Sequence, residues 1–173
     1  VVAVMWVVMI MLVTMVLVIG ESFKRTFTSV LDTSLQADYF IDLDQQSPIG
    51  FSPQLVAELN ELDEIGAAVG FRGGPQVATM RVDGELKDVV ASPEQGLGDF
   101  VDIGLSSGSY AGLDDGGLLV HKDPARDLGL SAGDQLDVEF PLGERTLTVV
   151  GIFDDAALLG NWVMSIDLYE EMY

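Results

Sequence analysis

The hydrophobic pattern changes character as the chain is read from its N-terminus. Val1 to Gly20 carry no charge, and the one polar side chain among them is Thr14. A helix over twenty residues is roughly 30 Å long, the hydrocarbon thickness of a bilayer. A helix apolar all round has to be buried in protein or lipid, so the run predicts a transmembrane helix over 1–20. A secretory signal peptide fits less well: there is no basic start, the apolar core is too long, and no clean A-x-A site follows. A buried core helix would need a domain able to wrap it, and nothing later in the chain looks able to do so. Beyond Gly20, Phe23, Phe27, Val30, Leu31 and Leu35 repeat at helical spacing as one apolar stripe. A continuous helix to about Leu35 would be about 50 Å long. Residues 21–36 are therefore predicted to form a helical stalk above the membrane, its stripe facing either the chain's own domain or a neighbouring stalk.

From Ala37 to Leu43 the pattern turns to period two, with Tyr39, Ile41 and Leu43 on one side, which predicts a first strand. Ser52-Pro53 is a helix start, Ser as the cap and Pro at the first helical position, followed by the apolar face Leu55, Val56, Leu59 and Leu62. Ala67 to Thr79 reads as extended and Gly-rich. Asp83-Gly84 predicts a hairpin turn between Gln76–Val82 and Glu85–Val90. Ser92 to Gly117 is loop-like, with many Gly and Ser. Leu118 to Val120 is a short strand, and Asp123-Pro124 caps a short helix ended by Gly129. Ala132-Gly133-Asp134 is a turn. Leu136, Val138 and Phe140 alternate with acids in a half-buried strand, Pro141 to Glu144 turns the chain, and Arg145 to Phe153 is the clearest strand of all.

Composition narrows the function classes. With no Cys, disulfides and thiolate metal sites are excluded. Twenty-eight acids against eight bases leave a net charge of -20. Such a surface repels nucleic acid and anionic headgroups, so no nucleic-acid partner is expected. The acids are scattered, which favours solubility or a saline habitat over a dedicated cation or basic-partner surface. Lys24 and Arg25 after the apolar run would place that flank in the cytoplasm, but the rule compares two flanks and the other is not in this sequence.

Catalytic chemistry has little support. His121 is the single His, with no Cys beside it, and reads as a surface or capping residue. The pairs Asp42/Asp44, Asp114/Asp115 and Asp154/Asp155 invite a calcium or acid–base reading. The first lacks the Gly and terminal Glu of an EF-hand loop, and the other two sit in turns, where Asp is common. Gly73-Gly74 and Gly116-Gly117 are turn residues, and no Gly-Lys-Ser/Thr phosphate loop exists. No catalytic residue, cofactor or metal ligand is assigned. Trp162 after Gly160-Asn161 is a core anchor before it is an exposed partner contact.

The ordered set of elements carries a resemblance. Ala125-Arg126-Asp127-Leu128-Gly129-Leu130-Ser131-Ala132-Gly133-Asp134, a strand, a turn, then Thr146-Leu147-Thr148-Val149-Val150-Gly151-Ile152-Phe153 resembles the extracytoplasmic domain of MacB/FtsX-type ABC transporter permeases, whose pattern reads A-x-x-L-G-L-x-x-G-D and T-x-x-V-V-G-I. Leu158-Leu159-Gly160-Asn161 and Ser165-Ile166-Asp167 are similar to the actinobacterial branch. The resemblance implies an α+β fold over 37–173, with a βα subdomain and a β-rich insertion at about 67–140, the soluble part outside the cytoplasm. It implies a permease, multi-pass in full length, of which this chain is a piece incomplete at its C-terminus; the start at Val1 also fits processing or a fragment. Implied partners are a separate ABC ATPase subunit, a second permease copy or half, and the lipid bilayer. The implied mechanism passes nucleotide-driven motion outward to export or extract a lipid, lipoprotein or peptide-like substrate, with Phe23, Phe27, Val30 and Leu31 as the stalk contacts. Two rivals are a single-pass anchored binding or regulatory module acting without an ATPase, and a membrane-anchored hydrolase using an Asp pair.

Overall fold

The computed structural model describes residues 11, 14, 15, 36–39, 41, 51–74 and 77–173. The chain divides into two compact units, Val1–Leu35 and Gln36–Tyr173. In the first, Met11, Thr14 and Met15 are helical and exposed. The transmembrane span over 1–20 and the stalk over 21–36 otherwise lie outside the described residues. Among the described residues, no helix is long and apolar enough to cross a membrane.

The second unit is a mixed α and β domain. Its described elements are α1 (Pro53–Asn60), β1 (Arg72–Gly73), β2 (Thr79–Val82), β3 (Glu85–Asp88), β4 (Val90–Ala91), a 3-10 turn (Glu94–Gly96), β5 (Leu105–Gly108), β6 (Gly117–His121), α2 (Lys122–Leu128), β7 (Gln135–Phe140), β8 (Gly143–Phe153), β9 (Trp162–Met164) and α3 (Ile166–Met172). The nine described strands form one sheet in the order β1-β4-β9-β6-β8-β7-β2-β3, with β5 also paired to β8. The sheet therefore runs past Phe140, and β8 and β9 lie at its centre rather than outside a β-rich insertion.

Local chemistry explains most elements. Ser52 caps α1 by accepting from the Gln54 N–H at 3.3 Å. Asp83 (φ 49°) and Gly84 (φ 78°) both take left-handed conformations, the requirement of the tightest hairpin turn, and Val82 pairs with Glu85 across it. Gly129 ends α2 at φ 68°, and the Leu130 N–H reaches back to the Ala125 carbonyl at 2.8 Å, so orphaned helix carbonyls are satisfied. One expected cap is corrected. His121, not Asp123, caps α2, its ring accepting from the Asp123 N–H. The strand expected over 37–43 is corrected at its described residues, the others lying outside the description. Its described residues, 37–39 and 41, are irregular, and Tyr39 and Ile41 are exposed. Alternation alone makes no strand without a neighbouring edge to accept its N–H groups.

β8 organises the sheet. Its first half pairs antiparallel with β7, from Gly143↔Phe140 to Thr148↔Gln135. From Thr148 to Phe153 it pairs in parallel with β6. Where β7 leaves off, β5 takes the same edge, with Gly108↔Gly151 and Leu105↔Phe153. The β6 register jumps between Leu118 and Leu119, leaving Val150 as the extra residue of a bulge.

All five residues of β6 are buried, so the sheet is covered on both faces there. On one face Leu118, Val120, Trp162 and Met164 join Val149, Leu147, Ala125 of α2 and Leu168 and Met172 of α3 in the main core. Leu119 and its partner Val163 alternate to the other face. The segment 92–117 supplies Leu97, Val101, Ile103 and Leu113, all buried outside that main cluster. The stretch read as loop is thus a covering layer, and its regular part, β5, was hidden because Leu105-Ser106-Ser107-Gly108 carries no apolar alternation.

Candidate functional site

The candidate side chains His121, Asp154 and Asp155 gather at the ends of β6 and β8. His121 is 7% exposed. Its Nδ1 accepts from the Asp123 N–H at 3.3 Å, which leaves the proton on Nε2, and Nε2 donates to the Asp154 carbonyl at 3.1 Å. Its ring meets Phe153 edge-on at 5.6 Å between centroids. Both ring nitrogens are thereby committed to backbone groups, and the imidazole ties the start of α2 to the end of β8. Around it, Lys122 pairs with the Asp154 carboxylate at 3.4 Å and Arg126 with Asp123 at 3.1 Å. The Asp154 N–H is shared between the Ile103 and Gly104 carbonyls, and the Asp155 N–H also donates to Ile103.

The carboxylates of Asp155, Asp114 and Glu94 also accept from backbone groups. Asp155 Oδ1 accepts from the Ala157 N–H at 2.9 Å. Asp114 Oδ1 accepts weakly from the Glu94 N–H at 3.4 Å, and Glu94 Oε2 accepts from the Gly112 N–H at 3.0 Å. Burial pushes the Asp114 carboxyl up from its usual range, reinforced by the charges of Glu94, Asp167 and Asp115, while the bond from the Glu94 N–H opposes the rise. Among the described residues, no three His, Asp or Glu side chains converge in a way that would hold a metal ion. Asp42 and Asp44 lie outside the described residues, as do Phe23, Phe27, Val30 and Leu31. Trp162 is 2% exposed at the start of β9, the core anchor of the two readings.

A third cluster, missed from sequence, pins α3 across the sheet. Ser165 caps the helix by accepting from the Leu168 N–H at 3.1 Å. Arg72 of β1 pairs with Glu170 at 2.7 Å, and Arg145 of β8 pairs with Glu171. The Tyr173 hydroxyl donates to the Thr79 carbonyl of β2 at 2.7 Å. Its ring stacks on Tyr169 at 4.9 Å and meets Phe140 edge-on. Burial raises the Tyr173 phenol to about 12. Arg72 and Thr79 lie 98 and 94 residues from their partners and Arg145 lies 26 from its own, so no local pattern could reveal them.

The motifs are also structural in role. The turn after α2 is held by Asp134 Oδ2 accepting from the Ser131 N–H at 2.8 Å. It is stitched to β8 by Gly133 N–H to Val149 carbonyl at 2.7 Å and Val149 N–H to Asp134 carbonyl at 2.8 Å. Gly151 lies where Leu105 and Leu119 close in from the two neighbouring strands, within 3 Å of where a Cβ would stand.

Residues 7–170 match the family described as MacB-like periplasmic core domain. A crystal structure of "a domain of a putative Permease protein from Porphyromonas gingivalis" aligns at 17% identity and a TM-score of 0.49, covering 65% of this chain and 55% of that one. The chain thus spans about half the length of that protein's domain. No curated protein sequence matches it.

Proposed function

This chain belongs to the family of MacB-like periplasmic core domains, and from that membership we propose that it is the extracytoplasmic part of an ABC transporter permease subunit. The family match, running over residues 7–170, is the observation that carries the reading. In this reading residues 1–20 cross the bilayer, and the domain stands outside the cytoplasm. ATP is hydrolysed by a separate ATPase subunit, and a second permease copy completes the transporter. The work done on a lipid, lipoprotein or peptide-like substrate is mechanical rather than chemical. The domain's sole imidazole supports that view, since both its nitrogens serve the backbone. So does the pinning of α3 to β1, β2 and β8, which suits a body that moves as a unit.

The test begins with the full-length gene product purified from membranes. It should retain an ABC ATPase that hydrolyses ATP in proteoliposomes; a preparation without any ATPase overturns the reading. Within such a complex, the stripe Phe23, Phe27, Val30 and Leu31 is assigned to carrying the motion. Phe27→Asp should leave ATP hydrolysis intact and abolish transport. Unchanged transport at normal expression would sink that assignment.

A further inference from the structure

Helix α1 is amphipathic, yet part of its apolar face is left open. Its two sides differ. Val56 faces the returning chain, its Cγ2 lying 3.0 Å from where a Cβ on Gly70 would stand. Beside it Asn60 donates to the Ala68 carbonyl and accepts from the Ala68 N–H, at 2.9 and 2.7 Å. That side is occupied. Leu55 and Leu59, one turn apart, are only half-buried, and the flanking Phe51 and Leu62 are 46% and 49% exposed. Next to this stripe stand Glu58 and Glu61, followed by Asp63 and Glu64, all exposed. No Lys or Arg occurs between residues 26 and 71.

We propose that this open face of α1 docks a basic amphipathic helix of a partner protein. Leu55 and Leu59 lie one turn apart on α1, and Phe51 and Leu62 extend the apolar surface just beyond its two ends, a surface that a second helix reads with its own apolar face. The carboxylates along its margin select Lys or Arg on the flanks of the incoming helix. The same carboxylates disfavour an anionic lipid surface and a second copy of α1, which would bring Glu58 and Glu61 against themselves. Four apolar side chains make a small interface, so a transient complex of on the order of micromolar affinity is expected. The proposal stands apart from the permease reading.

The test uses the full chain in a zwitterionic detergent and a labelled helical peptide of about three heptads, Leu at a and d and Lys elsewhere, followed by fluorescence anisotropy. Differences between wild type and variants in the same detergent remove binding to the micelle. Leu62→Glu should weaken the Lys peptide at least tenfold, and should leave unchanged the weak binding of a shuffled peptide that has no stripe. The double variant Glu58→Lys, Glu61→Lys should lose the Lys peptide and gain its Glu counterpart, a swap that a folding defect cannot produce. Equal binding by Leu62→Glu and wild type overturns the proposal, as does a double variant that keeps the Lys preference. Wild-type self-association abolished by Leu62→Glu would assign the face to a second copy and overturn it equally.

Discussion

Gly151, the glycine of the Val-Val-Gly-Ile motif, offers a quantitative test of how β8 is packed. A Cβ there would stand 2.8 Å from Leu105 Cδ1, 2.9 Å from Leu119 Cδ2 and 3.1 Å from the Ser107 carbonyl oxygen. The two closest obstacles are ends of side chains. Leu105 is half-buried and can turn away, but Leu119 is fully buried and cannot. Overpacking of this kind costs about 1–3 kcal/mol, while removing a glycine from the unfolded chain returns about 0.4–1 kcal/mol. Gly151→Ala should therefore destabilise by about 1–2 kcal/mol. Gly117→Ala is the harsher companion. Its Cβ would meet the Gly112 carbonyl oxygen at 2.5 Å and Leu113 Cα at 2.9 Å. Those are backbone atoms, so the covering segment must shift, at a cost above about 3 kcal/mol. Gly116→Ala has open space around it and φ 85°, so only the left-handed penalty of about 1–2 kcal/mol applies. For a domain of this size each kcal/mol lowers Tm by about 3–5 °C. Trp162 fluorescence, with Trp6 replaced by Phe, reports the melt from inside the core. A Gly151→Ala protein as stable as wild type, or one less stable than Gly117→Ala, would refute the packing argument.

Three further outcomes are expected. His121→Ala removes the α2 cap and the donor to the Asp154 carbonyl, and should cost about 1–3 kcal/mol in urea denaturation at unchanged slope; His121→Asn should recover part of it by restoring the cap. Tyr173 ionises at about 12 in the folded domain, above an unfolded value of about 10. Its contribution to stability is thus complete below about pH 10 and is lost between there and about pH 12, a loss absent in Tyr173→Phe, which pH-dependent melts will detect. Asp114 also has a raised pKa, so its ionisation opposes folding as pH rises through the carboxylate range. Asp114→Asn keeps an oxygen acceptor for the Glu94 N–H and should be more stable than wild type at pH 7 but not at about pH 3; equal gains at both would refute the charge argument.

The single His and the Asp pairs read as capping and turn residues, and in the fold His121 and Asp155 hold backbone partners while the Asp154 carboxylate pairs with Lys122. The cap of α2 was assigned two residues too late. Asp123 is the commoner capping residue, but His121 already stands at the strand-to-helix corner with its ring turned inward. At the described residues 37–39 and 41 the period-two run misled, because alternation reports a possible face and not a neighbouring edge.

Local physics written in the sequence determined the hairpin at Asp83-Gly84, the caps at Ser52 and Gly129, the strands at 118–120, 136–140 and 145–153, and the family pattern itself. Each depends on residues within a few positions of one another, through φ preference, capping or alternation. Tertiary structure alone decided the order of the strands, the second layer laid down by Leu97, Val101, Ile103 and Leu113, and the pinning of α3 by Arg72, Thr79 and Arg145. It also decided that β5, polar and short, pairs at all. Those outcomes rest on edges and faces brought together from positions far apart in the chain, and a hydrogen bond or buried contact between distant residues leaves no periodic trace in either segment.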